Sequence, residues 1–310
     1  MPALPLTPPY RGRFAPSPTG PLHFGSLVAA VGSYLDARHH GGAWLLRLED
    51  VDRPRCQPGA ADDILRTLAA FGFEWDGEVM LQSQRDAAYH AAFEKLRADG
   101  RMFPCACTRA EVTDSQLHRG SSPVGDGARI YPGTCRAGLP PGRQPRSWRL
   151  RVDDAVVVFE DALQGPIRQH LADEVGDFVL LRADGLFAYQ LAVVVDDAAQ
   201  AVTHVVRGAD LLDSTPRQIL LQRLLGLPTP AYAHLPVAVN TIGEKLSKQT
   251  RAQPLDPAHP QIWLLSALKF LGQTPPDELA GASLADFWYW ARVHWDLARV
   301  PHQRTLAAPG

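Results

Sequence analysis

Between a short apolar stretch and a helix-patterned one, residues 13–27 read RFAPSPTGPLHFGSL. Pro16, Pro18 and Pro21 crowd into this segment with Gly20, Gly25 and His23. Each proline fixes its φ at about −65° and withholds an N–H. The segment can therefore be neither a ladder-forming strand nor a helix interior; it is a stiff loop. Arg11–Ala15 ahead of it is a strand candidate. Behind it, Leu27, Val28, Val31, Leu35 and Arg38 recur at helical spacing, and Gly41-Gly42 ends the pattern. A loop leading from a strand into a helix N-terminus presents backbone N–H groups and the positive end of a helix dipole, which suits a phosphate. His23 adds a donor there. A tight turn with a capping histidine is the alternative reading.

The chain continues in the same rhythm. AWLLRLED is a nearly unbroken apolar run ending in carboxylates, the pattern of a buried parallel strand. Pro58 opens a second helix with Ile64, Leu65, Leu68 and Phe71 on one face, and Tyr89, Phe93 and Leu96 mark a third. Strand and helix alternating at this spacing predict an α/β fold with a doubly wound parallel sheet. From about Phe103 the pattern changes to short β-like runs (VVVFE, FVLLR) and a Gly/Ser/Pro-rich stretch at 118–128, the marks of an insertion. LFAYQLAVVVDD and VTHVVRGADLL return to buried-strand character, and Ser214-Thr215-Pro216 starts a helix. Ile262–Leu271 and Leu284–Leu297 are helical. The predicted organisation is a lead-in over 1–10, a nucleotide-binding domain over 11–103 and 188–235, an inserted α+β domain over 104–187, and a short, largely helical region over 236–310. His39-His40 fall at a helix end, where histidine complements the dipole. Trp288, Trp290 and Trp295 are expected to pack onto the body of the protein.

No apolar run approaches the roughly 18 residues that span a bilayer, and the N-terminus has no basic start followed by an apolar core. A cytoplasmic protein with no membrane partner is expected. The net charge of −2 neither demands nor excludes nucleic acid. The cysteines are Cys56, Cys105, Cys107 and Cys135; without a secretory signal a disulfide framework is not expected. Cys105, Cys107 and Cys135 lie close enough in sequence to suggest a metal. Cys56 reads as an ordinary, partly buried thiol.

GEKLSKQ at 243–249 is a glycine-started loop carrying Lys245 and Lys248. Alone it reads as a solvated surface loop. With RFAPSPTGPLHFGS early in an α/β chain, RLED, VVDD, THVVRGADLL and this late KLSK, residues 11–250 resemble the glutamate-specific branch of the class I aminoacyl-tRNA synthetases. LHFGSL and LFAYQLAVVVDD resemble the shortened glutamyl-queuosine tRNA(Asp) synthetases of that branch. Ser26 stands where the first motif usually ends in His or Asn, and Gln249 where the second usually ends in Ser.

The resemblance implies a Rossmann-like sheet on which a glutamate carboxylate attacks the α-phosphate of ATP in line, with Mg²⁺ accompanying the nucleotide. His23 and the backbone at Gly25 would hold the phosphates, and Lys245 and Lys248 would neutralise charge moving onto pyrophosphate. Free glutamate carries two carboxylates and one ammonium, so its site wants two cations and one anion. Strand-end Arg13, Arg207 and Glu49 fit that demand, and the resemblance assigns the same residues, beside Phe14, Ala15, Pro16, Ser17 and Tyr189. A strand-end salt bridge is the plainer reading of RLED, and surface pairing that of Arg207. Cys105-x-Cys107 with Tyr131-x-x-x-Cys135 suits one structural Zn²⁺, with His118 as the alternative fourth ligand. Only 62 residues follow Lys248 in the chain of 310, too few for the helical anticodon-binding part of conventional relatives. The expected acceptor is the queuosine base in the anticodon stem-loop of tRNA(Asp), with activation of L-glutamate independent of tRNA. A truncated conventional glutamyl-tRNA synthetase and a catalytically silent zinc-containing RNA-binding or regulatory module are the alternatives.

Overall fold

In the computed structural model, which describes residues 9–117, 130–246 and 253–309, strand β1 (Arg11–Phe14) enters the proline loop and helix α1 (Phe24–His39) leaves it. Then come β2 (Ala43–Leu48), α2 (Ala60–Ala70), β3 (Met80–Leu81) and α3 (Asp86–Ala98). Strand β1 pairs in parallel with β2, and β2 in parallel with β3. Helix α1 is buried on nearly every side: Leu27, Val28, Ala30, Val31, Tyr34 and Leu35 have almost no solvent contact. Even Asp36 is buried, accepting from Tyr10 Oη at 2.5 Å and from Trp295 Nε1 at 3.1 Å. A charge inside a core persists only where donors meet it. Helix α2 begins at Ala60 rather than at Pro58, because Gly59 is left-handed there, with φ of 77°.

The chain continues through β4 (Met102–Cys105), α4 (Arg109–Leu117), β5 (Ser147–Leu150), β6 (Val156–Asp161), β7 (Gly165–His170), α5 (Leu171–Glu174) and β8 (Val179–Leu181). It then forms α6 (Tyr189–Ala199), β9 (His204–Gly208), α7 (Thr215–Leu225), β10 (Ala231–Leu235), β11 (Val237–Val239), α8 (Pro260–Phe270), α9 (Leu284–His294) and β12 (Thr305–Ala307). Strands β4, β5 and β8 make a separate antiparallel sheet. Strand β10 lies between β9 and β6, parallel to both, while β7 runs antiparallel to β6. The sheet is therefore mixed. The β3-β2-β1 sheet meets β9 where Thr203 N–H donates to the Arg11 carbonyl at 2.9 Å and Arg11 N–H to Thr203 Oγ1 at 2.8 Å. Successive crossovers diverge between β1 and β9. A ligand crevice is expected at such a switch point, beyond the carboxyl ends of the strands.

The C-terminal tryptophans pack onto this body. Trp288 meets Tyr34 edge-on at 4.8 Å between ring centroids and donates through Nε1 to the Phe71 carbonyl at 3.0 Å. One expected element changes type. LFAYQLAVVVDD is not a strand: from Tyr189 onward it is helix α6. A continuous apolar run has no alternation to separate a buried strand from a buried helix, and burial outweighs the weak helix propensity of three valines. Leu191, Ala192, Val193, Val194, Asp196 and Asp197 are all buried. The helix puts Tyr189 in its first turn and the two carboxylates near its other end. No helix among the described residues is long and apolar enough to cross a membrane.

Candidate active site

The proline loop is held from both sides by backbone groups. Pro16 carbonyl accepts from Glu49 N–H at 3.0 Å, and Pro18 carbonyl from Gln57 N–H at 2.9 Å. Gly20 takes φ of 136°, which only glycine adopts readily. His23 caps α1: its Nδ1 accepts from Ser26 N–H at 3.4 Å, and its Nε2 lies 3.3 Å from Ser26 Oγ. The capping role and a place on the cleft wall thus belong to the same histidine. A Cβ on Gly25 would lie 3.3 Å from the His23 ring and 3.6 Å from the Leu246 carbonyl. Leu255 N–H donates to the Leu22 carbonyl at 3.0 Å, and Pro254 bridges His23. The chain on both sides of 247–252 is therefore anchored at the mouth of α1. Lys245 Nζ pairs with Asp210 at 2.5 Å. Lys248, with Gln249, lies outside the described residues, as do His118 and the loop around it.

A cleft of about 1050 Å³ opens beside this loop. It is lined by Arg13, Phe14, Ala15, Pro16, Ser17, His23, Gly25, Glu49, Tyr189, Arg207 and Lys245, so the structure gathers these sequence-predicted residues into one place. The Phe14 ring stacks on Trp44 at 6.1 Å, a packing contact within the core. Arg207, at the end of β9, is buried rather than paired at the surface. Its Nη1 lies 3.5 Å from Tyr189 Oη. Tyr189 is pushed up to about 12, by burial first and then by the charge of Glu49.

Two residues that sequence reasoning missed organise the other wall. Asp197 of α6 accepts from Arg13 Nε at 3.3 Å and lies 2.8 Å from Arg47 Nη2. Arg47 also reaches Glu49 Oε1 at 3.3 Å and Gln200 Oε1 at 2.7 Å. Burial works to raise Asp197, but Arg13 and Arg47 hold it below the usual carboxylate range. At Glu49 burial wins against Arg47 and Arg13, and the carboxyl is raised. A substrate ammonium beside Glu49 would offset that burial. The signal for Arg47 was present: an arginine inside an apolar strand requires a buried carboxylate. Its partner could not be found from sequence because VVVDD was read as a strand.

A second cluster lies around β4. The Sγ atoms of Cys105, Cys107 and Cys135 are within 4.8 Å of one another, the one such group among the described residues. Cys107 and Cys135 sulfurs are 3.7 Å apart, and Tyr131 Oη is 3.4 Å from Cys105 Sγ and 3.6 Å from Cys107 Sγ. Tetrahedral Zn²⁺ with bonds of about 2.3 Å spaces its sulfurs about 3.8 Å apart, so this donor set fits the ion. Arg149 Nε donates to Cys105 Sγ at 3.3 Å, and its guanidinium sits 4.0 Å above the Tyr131 ring. Burial works to raise Cys105, but Tyr131 and Arg149 bring it below the usual thiol value. Cys56 is half-buried beside the Asp52 carbonyl and stands apart from this cluster.

A strand-loop-helix mouth, a charged cleft at the switch point, and the return of Leu246 and of Pro254-Leu255 to that mouth define the catalytic unit of a class I aminoacyl-tRNA synthetase. Residues 10–277 match the family model for tRNA synthetases class I (E and Q), catalytic domain. The glutamyl-Q tRNA(Asp) synthetase of Aromatoleum aromaticum is 64% identical over 303 residues, covering 98% of this chain and 94% of that protein. The protein of the same name from Dechloromonas aromatica is 63% identical, covering 97% and 99%. A glutamate-tRNA synthetase structure from Elizabethkingia anophelis aligns with a TM-score of 0.78 at 27% identity, over 95% of this chain and 67% of that one. A glutamate tRNA ligase from Elizabethkingia meningosepticum, solved with its amino acid, aligns with the same TM-score at 26% identity, over 97% of this chain and 67% of that one. The chain belongs to the glutamyl-Q tRNA(Asp) synthetase family within the class I synthetases, and is an ATP-dependent ligase.

Proposed function

We propose that this enzyme activates L-glutamate with ATP, without tRNA, and transfers it to queuosine at the first anticodon position of tRNA(Asp). The observation that carries this is the meeting of Arg13, Arg207 and Glu49 in one cleft beside the N-terminus of α1. Arg13 and Arg207 offer cations to the two carboxylates, and Glu49 offers an anion to the ammonium. Asp197 is shared between Arg13 and Arg47, and Glu49 also meets Arg47, so Arg13, Arg47 and Arg207 together outnumber the two carboxylates and leave positive charge for the ligand. The glutamate α-carboxylate oxygen attacks the α-phosphorus, the acyl-phosphate bond forms, and pyrophosphate leaves with the bridging oxygen. Positioning and charge stabilisation are what the protein supplies. His23 and the amide of Gly25 face the phosphates, and Lys245 with Lys248 takes up the charge on pyrophosphate. Mg²⁺ accompanies the nucleotide.

A hydroxyl of the cyclopentene diol of queuosine then attacks the acyl carbon. An ester forms, AMP leaves, and the hydroxyl proton passes to solvent. The names of the close relatives support this acceptor. Residues 11–103 and 188–235 form the catalytic domain, 104–187 an insertion carrying one structural Zn²⁺ on Cys105, Cys107, Tyr131 and Cys135, and 236–310 the lysine loop and a short helical part. The test is glutamate-dependent ATP–pyrophosphate exchange without tRNA. Absence of exchange, or exchange driven equally by glutamine or aspartate, contradicts the pocket.

A further inference from the structure

His234 lies in β10 directly opposite Arg207 of β9 and has no solvent exposure. Both its ring nitrogens are engaged. Nε2 is 3.1 Å from Arg207 Nε, and Nδ1 is 2.5 Å from Asp161 Oδ2. A guanidinium can only donate, so Nε2 must accept. The ring is therefore neutral, with its proton on Nδ1 directed at the Asp161 carboxylate. Asp161 is itself buried and saturated: it also accepts from the N–H groups of Leu163 at 3.0 Å, Gln164 at 2.9 Å and His234 at 3.1 Å. A chain of side chains thus crosses three neighbouring strands, from Asp161 on β6 through His234 on β10 to Arg207 on β9, and ends at the cleft wall.

The same geometry fixes which part of Arg207 can meet a ligand. Nε is committed to His234. Nη2 is committed to Thr215 Oγ1 at 2.9 Å and to Gln218 Oε1 at 2.8 Å. Gln218 is turned for this by donating through Nε2 to Gln190 Oε1 at 2.9 Å. Thr215 Oγ1 lies 3.2 Å from both the Leu211 carbonyl and His234 Nε2; its one proton goes to either acceptor, which leaves a lone pair for Arg207. The side edge of the guanidinium is therefore occupied, and Nη1, with its single long contact to Tyr189, is presented beside the cleft.

We propose that His234, oriented by Asp161, is a positioning residue that holds Arg207 with Nη1 toward the substrate carboxylate and so sets affinity and selectivity for glutamate. The proposal rests on the reading that Arg207 receives a glutamate carboxylate. A long, rotamer-rich side chain binds best when its orientation is fixed beforehand. The Asp161-His234 pair does this without adding a second cation next to Arg207.

The test is steady-state ATP–pyrophosphate exchange with the full chain, measuring KM for glutamate and KM for ATP separately, with melting temperature recorded for each variant. Asp161→Asn is nearly isosteric. Its amide N–H₂ facing Nδ1 moves the ring proton to Nε2, where it opposes the Arg207 Nε–H. We expect Asp161→Asn and His234→Ala each to raise KM for glutamate about tenfold, the size of one lost hydrogen bond to a charged group. KM for ATP should stay within twofold, and preference for glutamate over glutamine should fall. His234→Gln, whose Oε1 can still accept from Arg207, should recover part of the loss. If His234→Ala does not fold, Asp161→Asn decides. Folded variants with KM for glutamate within twofold of the parent overturn the role of His234, as does a parallel rise in KM for ATP. Absence of glutamate-dependent exchange in the parent enzyme instead overturns the reading of Arg207 itself.

Discussion

Arg13 shows how one side chain is made ready for a ligand by another. Its Nε is tied to Asp197, which is shared with Arg47, so the guanidinium is fixed while its remaining nitrogens stay beside the cleft. Arg13→Ala is therefore expected to raise KM for glutamate by about 10–100-fold, the range for losing a hydrogen-bonded charge partner. A change below threefold would contradict the assignment. His234 gives a pH signature. Burial above all, aided by the charge of Arg207, brings it down to about 4, although Asp161 works to raise it. In the unfolded chain it titrates at about 6.5. Between those values the unfolded state binds the extra proton, so folded stability is lost as pH falls through that window. Asp161, held below the ordinary carboxylate range, acts in the same direction at lower pH. The melting temperature should fall from pH 7 to pH 5, and less steeply in His234→Gln. Equal slopes would refute this.

At the scale of elements, the cysteine cluster around β4 depends on close backbone approach. Gly176 sits at φ of 70°, and a Cβ there would lie 2.9 Å from Tyr131 N and from Ile130 Cγ2. Gly176→Ala should cost about 1–3 kcal/mol in unfolding free energy, from left-handed strain and that clash. Purified protein should carry one zinc per chain, and Cys135→Ser should lose it; metal-free parent protein that melts normally would contradict the site. Much of the architecture was legible, for identifiable reasons. Strands β1 and β2, helix α1 and the terminal tryptophan helix follow from prolines, glycines and clean periodicity. Helix α6 did not, because an all-round apolar run carries no period to read. That single misreading hid Asp197 and the anchoring role of Arg47. The Asp161-His234-Arg207 chain was also illegible: it joins residues far apart in sequence, and only the order of β6, β10 and β9 brings them side by side.

The whole molecule joins a proline loop at a helix mouth, a cleft lined by Arg13, Arg207 and Glu49, and a separate sheet beside a cysteine cluster in one chain. In the proposed reaction, glutamate activated in this cleft is delivered to an anticodon base. Tritiated glutamate, ATP and the enzyme should be incubated with tRNA(Asp) carrying queuosine, with tRNA(Asp) carrying guanosine at that position, and with tRNA(Glu). Label is expected on queuosine-containing tRNA(Asp) alone, with the isolated anticodon stem-loop accepting it as well. Label at the 3′ end of tRNA(Glu), with none on tRNA(Asp), would contradict it.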